Sequence, residues 1–211
     1  MAIKAGAIYK NPAAGIELKR KTPKQLVLPN RNDFHRIVAD IRNSGHRTAH
    51  DSGDLIEFLA YTGCRISEAK RIAWGDCDLL KGSLTIKGDP ETGTKNWRIR
   101  QVPMIPAFRK LLEDILAKRG VTESDERVLL VGNARGSLRK STEALKLSHL
   151  SHHDLRHLFA TTAIEADVDI PTISRWLGHS DGGTLAMKTY GHLRDEHSEA
   201  AAQRVTFAVA V

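Results

Sequence analysis

The apolar residues of this 211-residue chain keep a helical period along most of its length and break it once. Phe34, Ile37, Val38 and Ile41 recur at three- and four-residue spacing, so RNDFHRIVADIRN, after Pro29-Asn30, predicts a helix. A second helix is expected from about residue 49 to 61, ended by Thr62-Gly63, and Ile66, Ala69, Ile72 and Ala73 mark a third. Leu84-Thr85-Ile86-Lys87 and Trp97-Arg98-Ile99-Arg100-Gln101-Val102 then alternate as strands do. The turn-rich GDPETGTKN separates them, which predicts a β-hairpin with a long connection. Helical spacing returns at about 106–118, 140–147, 153–166, 171–177 and 193–204. The expectation is a mainly α domain carrying a small antiparallel β-sheet, in the α+β class, long enough to bury a core without cross-links.

Other features exclude whole classes. Cys64 and Cys77 are the only cysteines, which leaves no disulfide framework and no four-cysteine zinc site, and suggests a reducing compartment. No apolar run approaches membrane-spanning length and MAIKAGAIYK lacks the apolar core of a signal peptide, so a soluble intracellular protein is expected. Residues 1–50 hold ten Lys and Arg against Glu17, Asp33 and Asp40, which accounts for the whole formal charge of +7. A basic segment containing KRKTPK suits an arm laid along nucleic acid, and equally a solvated tail.

Three stretches carry candidate chemistry. In TGCRISEAK, Arg65 follows a helix end, where its guanidinium can enter a cleft with Glu68 one turn on as a brace. In SHHDLRHLFA, His153 and Arg156 are three apart on one helical face and can reach the same anion. The run His149, His152, His153 and His157 also invites a metal reading, but no cysteine lies nearby and no zincin order is present. In LGHSDGGTLAMKTYGHL, Tyr190 sits among Lys188, Thr189, Gly191 and His192 and not in an apolar periodic run, as an accessible phenol would. Two permanent cations, histidines, a lysine and a phenol suit attack on a phosphodiester without a metal.

TGCRISEA, HHDLRH and LGHS followed by a tyrosine, in that order over about residues 30–205, resemble the catalytic domain of the tyrosine recombinases, the phage-integrase family. NPAAGIE and the LGHSDGG…KTYGHLRDEHS ending are most similar to prophage and genomic-island integrases. The resemblance implies the tyrosine recombinase catalytic-domain fold and site-specific DNA recombination through a 3′-phosphotyrosyl intermediate, with no cofactor and no metal. It implies that Arg65 and Arg156 bind the scissile phosphate, that His153 is the histidine of the H-x-x-R motif, that His179 supports the phosphate, and that Tyr190 is the nucleophile. The lysine of the hairpin turn falls on Lys95, eight residues before Pro103, with Lys87 as the alternative.

The same resemblance implies double-stranded attachment-site DNA as partner, a monomer alone and a tetramer on synapsed DNA, accessory DNA-bending or excision factors, no membrane, and a place in the bacterial cytoplasm with the nucleoid. It divides the chain into a basic linker at 1–29, closing a core-binding domain that is missing here, and a catalytic domain at 30–211. That second part ends in a helix and the tail VTFAVAV, which packs in cis or docks on a neighbouring subunit. The interval from His179 to Tyr190 is longer than the family's commonest and contains Gly182-Gly183, so that segment is expected to be flexible. Rival readings are type IB topoisomerase-like relaxation, a catalytically silent DNA-binding regulator and, more distantly, a metal-dependent nuclease, for which no acidic cluster is visible.

Overall fold

A computed structural model describes residues 6, 8–10, 27–88, 99–120 and 123–179. Helix α1 (Arg31–Arg42) begins at Asn30, whose side chain accepts the Asp33 N–H at 2.8 Å, and it buries Phe34, Ile37, Val38 and Ile41 as their spacing predicts. Helix α2 (Ala49–Thr62) is buried on most of its faces, with Leu55, Ile56, Phe58 and Leu59 fully enclosed. Around it pack α1, α4 (Pro106–Arg119) and α6 (His152–Glu165). Phe58 meets Phe108 of α4 edge to face at 5.1 Å. At the far end of α1, Arg42 binds Asp54 at 2.7 Å and Glu57 at 2.6 Å, fastening α1 to α2.

The sheet has three strands where the sequence predicted two. β1 (Cys77–Asp78), β2 (Ser83–Ile86) and β3 (Arg100–Pro103) are antiparallel in that order, with Leu84 opposite Val102 and Ile86 opposite Arg100. Leu84, Ile86 and Val102 turn inward to the core. The added strand has a local cause: Asp78 accepts the Lys81 N–H at 2.8 Å, folding residues 78–83 into a turn that returns the chain onto Cys77.

Two helices differ from expectation. α3 (Ile66–Ala69) ends four residues before Ala73, because Ile72 accepts the Val128 N–H at 3.0 Å and Trp74 donates to Glu126 at 3.0 Å, drawing the backbone into pairing with a distant segment. α5 (Arg135–Ala144) starts and stops earlier than 140–147: Lys146 takes a positive φ of 56° and Leu147 donates back to Thr142 at 2.8 Å. α7 (Ile170–Leu177) follows α6, starting at Asp169, whose carboxylate accepts the Thr172 N–H at 2.8 Å. The hairpin connection and the expected helix at 193–204 lie outside the described residues. Among the described residues no helix is long and apolar enough to cross a membrane.

Candidate active site

The site forms where α2 stops. Gly63 caps α2 at a φ of +64°, and a Cβ there would lie 2.6 Å from Phe159 Cδ1 and 2.8 Å from Leu177 Cδ2. Only glycine permits both the left-handed turn and this approach of α6 and α7. The chain leaves Gly63 extended and places Arg65 at the head of α3, its side chain 39% exposed.

Glu68 fixes that arginine, as its position one turn on predicted. Its carboxylate accepts the Arg65 backbone N–H at 2.8 Å and the Arg65 Nη1 at 3.2 Å. A second arginine that the motifs did not single out completes the set: Arg100 donates Nη1 and Nη2 to the two Glu68 oxygens at 2.9 and 2.7 Å. Burial alone would raise the Glu68 carboxyl, but the hydrogen bonds and charge of Arg100, then Arg65, bring it down to about 2. Arg100 did carry a sequence signal. It shares the inward face of β3 with Val102, and a charge on that face requires a buried partner.

The SHHD segment is also a helix start. Ser151 and Asp154 form a reciprocal cap: Ser151 N donates to Asp154 Oδ2 at 2.7 Å, and Asp154 N donates to Ser151 Oγ at 3.3 Å. The cap sets His152 and His153 in the first turn and Arg156 one turn on. His152 is buried and its Nε2 accepts the Ala134 N–H at 3.1 Å, so its ring is structural, a role that spacing did not reveal. His153 is exposed and meets His157 edge to face at 4.6 Å. Desolvation and the neighbouring Arg156 and Arg65 pull His153 below the ordinary histidine value against Asp154, favouring the neutral ring that can accept a proton.

Arg156 is 4% exposed and has an unusual seat: Nη1 donates to Gly63 O and Nη2 to Leu177 O, both at 2.6 Å. These carbonyls lie at the C-terminal ends of α2 and α7, where unpaired backbone oxygens carry partial negative charge. Both of these hydrogen bonds, among the described residues, go to main-chain carbonyls and not to a carboxylate. Burial, then repulsion from Arg65 and Arg100, lowers Arg156 to about 10, which still leaves it charged at neutral pH. Gly178 ends α7 at a φ of +70°, and His179 N donates to Ser174 O at 3.0 Å, so the LGH stretch closes the helix and fixes the His179 backbone beside the Arg156 seat.

A cleft of about 550 Å³ opens here, with Arg65, Arg135, His149, His153 and Arg156 in its walls. Cys64 also lines it, but burial pushes its thiol up to about 11, against a hydrogen bond from Thr62, which makes it a poor nucleophile. Arg65 from one motif and His153 and Arg156 from another therefore share one cavity, and His179 follows immediately on the helix end that holds Arg156. Lys87 is bound to Asp76 at 2.7 Å. Lys95 and Tyr190 lie outside the described residues. Among the described residues no group of three or more His, Cys, Asp or Glu side chains is arranged to hold a metal ion.

Comparison with known proteins agrees with this geometry. The phage integrase family pattern matches residues 30–197. The chain is 28% identical over 199 residues to tyrosine recombinase XerC of Actinobacillus pleuropneumoniae serotype 7, covering 89% of this chain and 61% of that protein. It is 31% identical to tyrosine recombinase XerC of Roseiflexus castenholzii, covering 92% and 63%. The chain thus spans about three-fifths of the length of these curated relatives. Among solved structures, the Tn1549 transposon integrase in complex with a circular intermediate DNA superposes with a TM-score of 0.68 at 18% identity, over 97% of this chain and 74% of that one. The catalytic domain of bacteriophage HP1 integrase superposes with a TM-score of 0.62 at 22% identity, over 85% and 95%. With the family pattern running through most of the chain, on a fold shared with solved integrases and around a cleft assembled from its motifs, this protein belongs to the phage integrase family.

Proposed function

We propose that the chain catalyses site-specific DNA recombination, cutting and rejoining strands of duplex attachment sites through a covalent bond to Tyr190. The observation that carries this reading is the cleft itself: Arg65 and Arg156 border one cavity with His153, whose affinity for a proton is lowered there by desolvation and by the two arginines. Glu68 is the carboxylate that hydrogen-bonds Arg65. An excess of fixed positive charge in a partly desolvated cleft suits a pentacoordinate phosphorus, whose added negative charge it stabilises.

In this reading the Tyr190 oxygen attacks the scissile phosphorus, forming a 3′-phosphotyrosyl bond as the bond to the 5′-oxygen breaks. Lys95 gives that oxygen its proton, and His153 accepts the phenol proton. Arg65, Arg156 and His179 hold the non-bridging oxygens. A free tyrosine ionises only near pH 10, so in this reading neighbouring cations favour the phenolate as His153 takes the proton during attack. The covalent bond keeps the energy of the phosphodiester, so a 5′-hydroxyl from a partner duplex reseals the strand without ATP. The ion pair between Lys87 and Asp76 supports Lys95 as the proton donor. Synapsis of four copies on two duplexes, accessory DNA-bending factors and work at the bacterial nucleoid follow from the same reading, which the recombinase and integrase names of the relatives favour over topoisomerase-like relaxation.

The test is a nicked suicide duplex carrying the attachment site, from which a cleaved strand end diffuses away and traps the adduct. Wild-type protein is expected to accumulate covalent protein–DNA complex and Tyr190→Phe none. Adduct from Tyr190→Phe overturns the assignment.

A further inference from the structure

We propose that Arg100 is a positioning residue for strand cleavage, a buried three-way tie that aims Arg65 and His179 at the phosphate without touching it; the proposal rests on the recombinase reading above. Its side chain is 11% exposed, and it lies outside the walls of the cleft. All three guanidinium nitrogens are engaged, and they reach two separate pieces of the site. Nη1 and Nη2 fork onto Glu68 at 2.9 and 2.7 Å, and Nε donates to Trp176 O at 2.8 Å. Glu68 is the carboxylate that orients Arg65, so the direction of Arg65 is set at one remove by Arg100.

The third bond works on the other side of the site. Trp176 O lies in the last turn of α7, next to Leu177, whose carbonyl holds Arg156. Gly178 then turns left-handed, and a Cβ there would lie 3.0 Å from Arg100 Nη1 and 3.1 Å from its Cδ and Cζ. The guanidinium therefore packs flat on the turn that leads into His179. Because Arg100 begins β3, the same side chain links this turn to the strand that closes the hairpin carrying Lys95. The geometry is specific to arginine. A planar fork serves a carboxylate with two parallel bonds and keeps Nε–H pointing elsewhere in the same plane, while the three donors of a lysine ammonium radiate from one nitrogen and cannot match that fork.

The experiment compares wild-type chain, Arg100→Lys, Glu68→Gln and the double variant on the nicked duplex at saturating protein, with either a phosphodiester or a methylphosphonate at the scissile position. The methylphosphonate has no negative charge for Arg65 and Arg156 to neutralise. Arg100→Lys is expected to slow adduct formation by about ten- to a hundredfold on the phosphodiester, as loss of an outer-shell orienting group does. DNA affinity should stay close to wild type, the circular-dichroism melt should move down but remain cooperative as the buried Glu68 contact weakens, and the deficit should shrink on the methylphosphonate. Glu68→Gln should share that signature, and the double variant should be no slower than the slower single, because both act through one contact. Glu68→Gln carries the test if Arg100→Lys does not fold. A wild-type rate in the variants, an equal deficit on both substrates, or a double variant slowed by the product of the singles overturns the proposal. A wild-type chain that forms no adduct on either substrate removes the recombinase reading and this proposal together.

Discussion

At Gly63 a methyl group has nowhere to go. The backbone is left-handed, the space is filled by Phe159 and Leu177, and the carbonyl on the same residue holds Arg156. Gly63→Ala is expected to cost about 2–4 kcal/mol, from backbone strain together with overpacking. Urea unfolding measures it, and a loss below about 1 kcal/mol would contradict the tight seat, since that is the least overpacking of this kind costs. Other single residues differ in how openly the sequence declares them. Arg65, His153 and Arg156 stand in motifs, and the cleft gathers them. Arg100 does not, because its importance comes from Glu68, 32 positions away, and from a backbone carbonyl 76 positions away. No local spacing can encode either partner.

Among the elements, the first turns of α6 concentrate the pH response. His152, His153 and His157 all titrate below the ordinary value of 6.5, chiefly through desolvation; Arg135 and Lys70 also lower His152. The unfolded chain therefore binds more protons than the folded one between those lowered values and 6.5, so stability is complete above that range and falls as pH drops through it. Glu68 adds nothing in this window: its contribution holds above its ordinary 4.5 and is lost only as pH falls toward about 2. The urea midpoint should decrease from pH 7 to pH 5, and His152→Gln, which keeps an acceptor for the Ala134 N–H, should flatten that decrease. An unchanged slope would reassign the response. The helices themselves were legible where one face is buried, as in α1, and misjudged where tertiary pairing intervened. Ile72 and Ala73 continue a helical period, yet their backbone pairs with residues 127 and 128. Leu145 and Leu147 extend the pattern of α5 past the point where Lys146 turns left-handed.

For the molecule as a whole, the charge balance bears on how DNA would be held in the proposed reaction. The formal excess of +7 lies within residues 1–50, most of which before residue 27 are outside the described ones, while Arg135 stands in the cleft wall. Binding to duplex by this chain should be modest and should weaken steeply with salt. Arg135→Gln should reduce the slope of log affinity against log salt by about one, with little change in preference among sequences. Fluorescence anisotropy across a salt series checks it, and an unaltered slope would remove Arg135 from the phosphate contacts. The mainly helical architecture could be read from one change of period, whereas the meeting of two motifs in one cavity, with a third on the helix end that holds Arg156, required the packing of α2, α6 and α7. That packing leaves Arg156 resting on two main-chain oxygens. The hydrogen bonds that hold it are thus written into where two helices stop, with the Glu68 charge adding to them at a distance. A redesign meant to loosen Arg156 would do best to move a helix terminus.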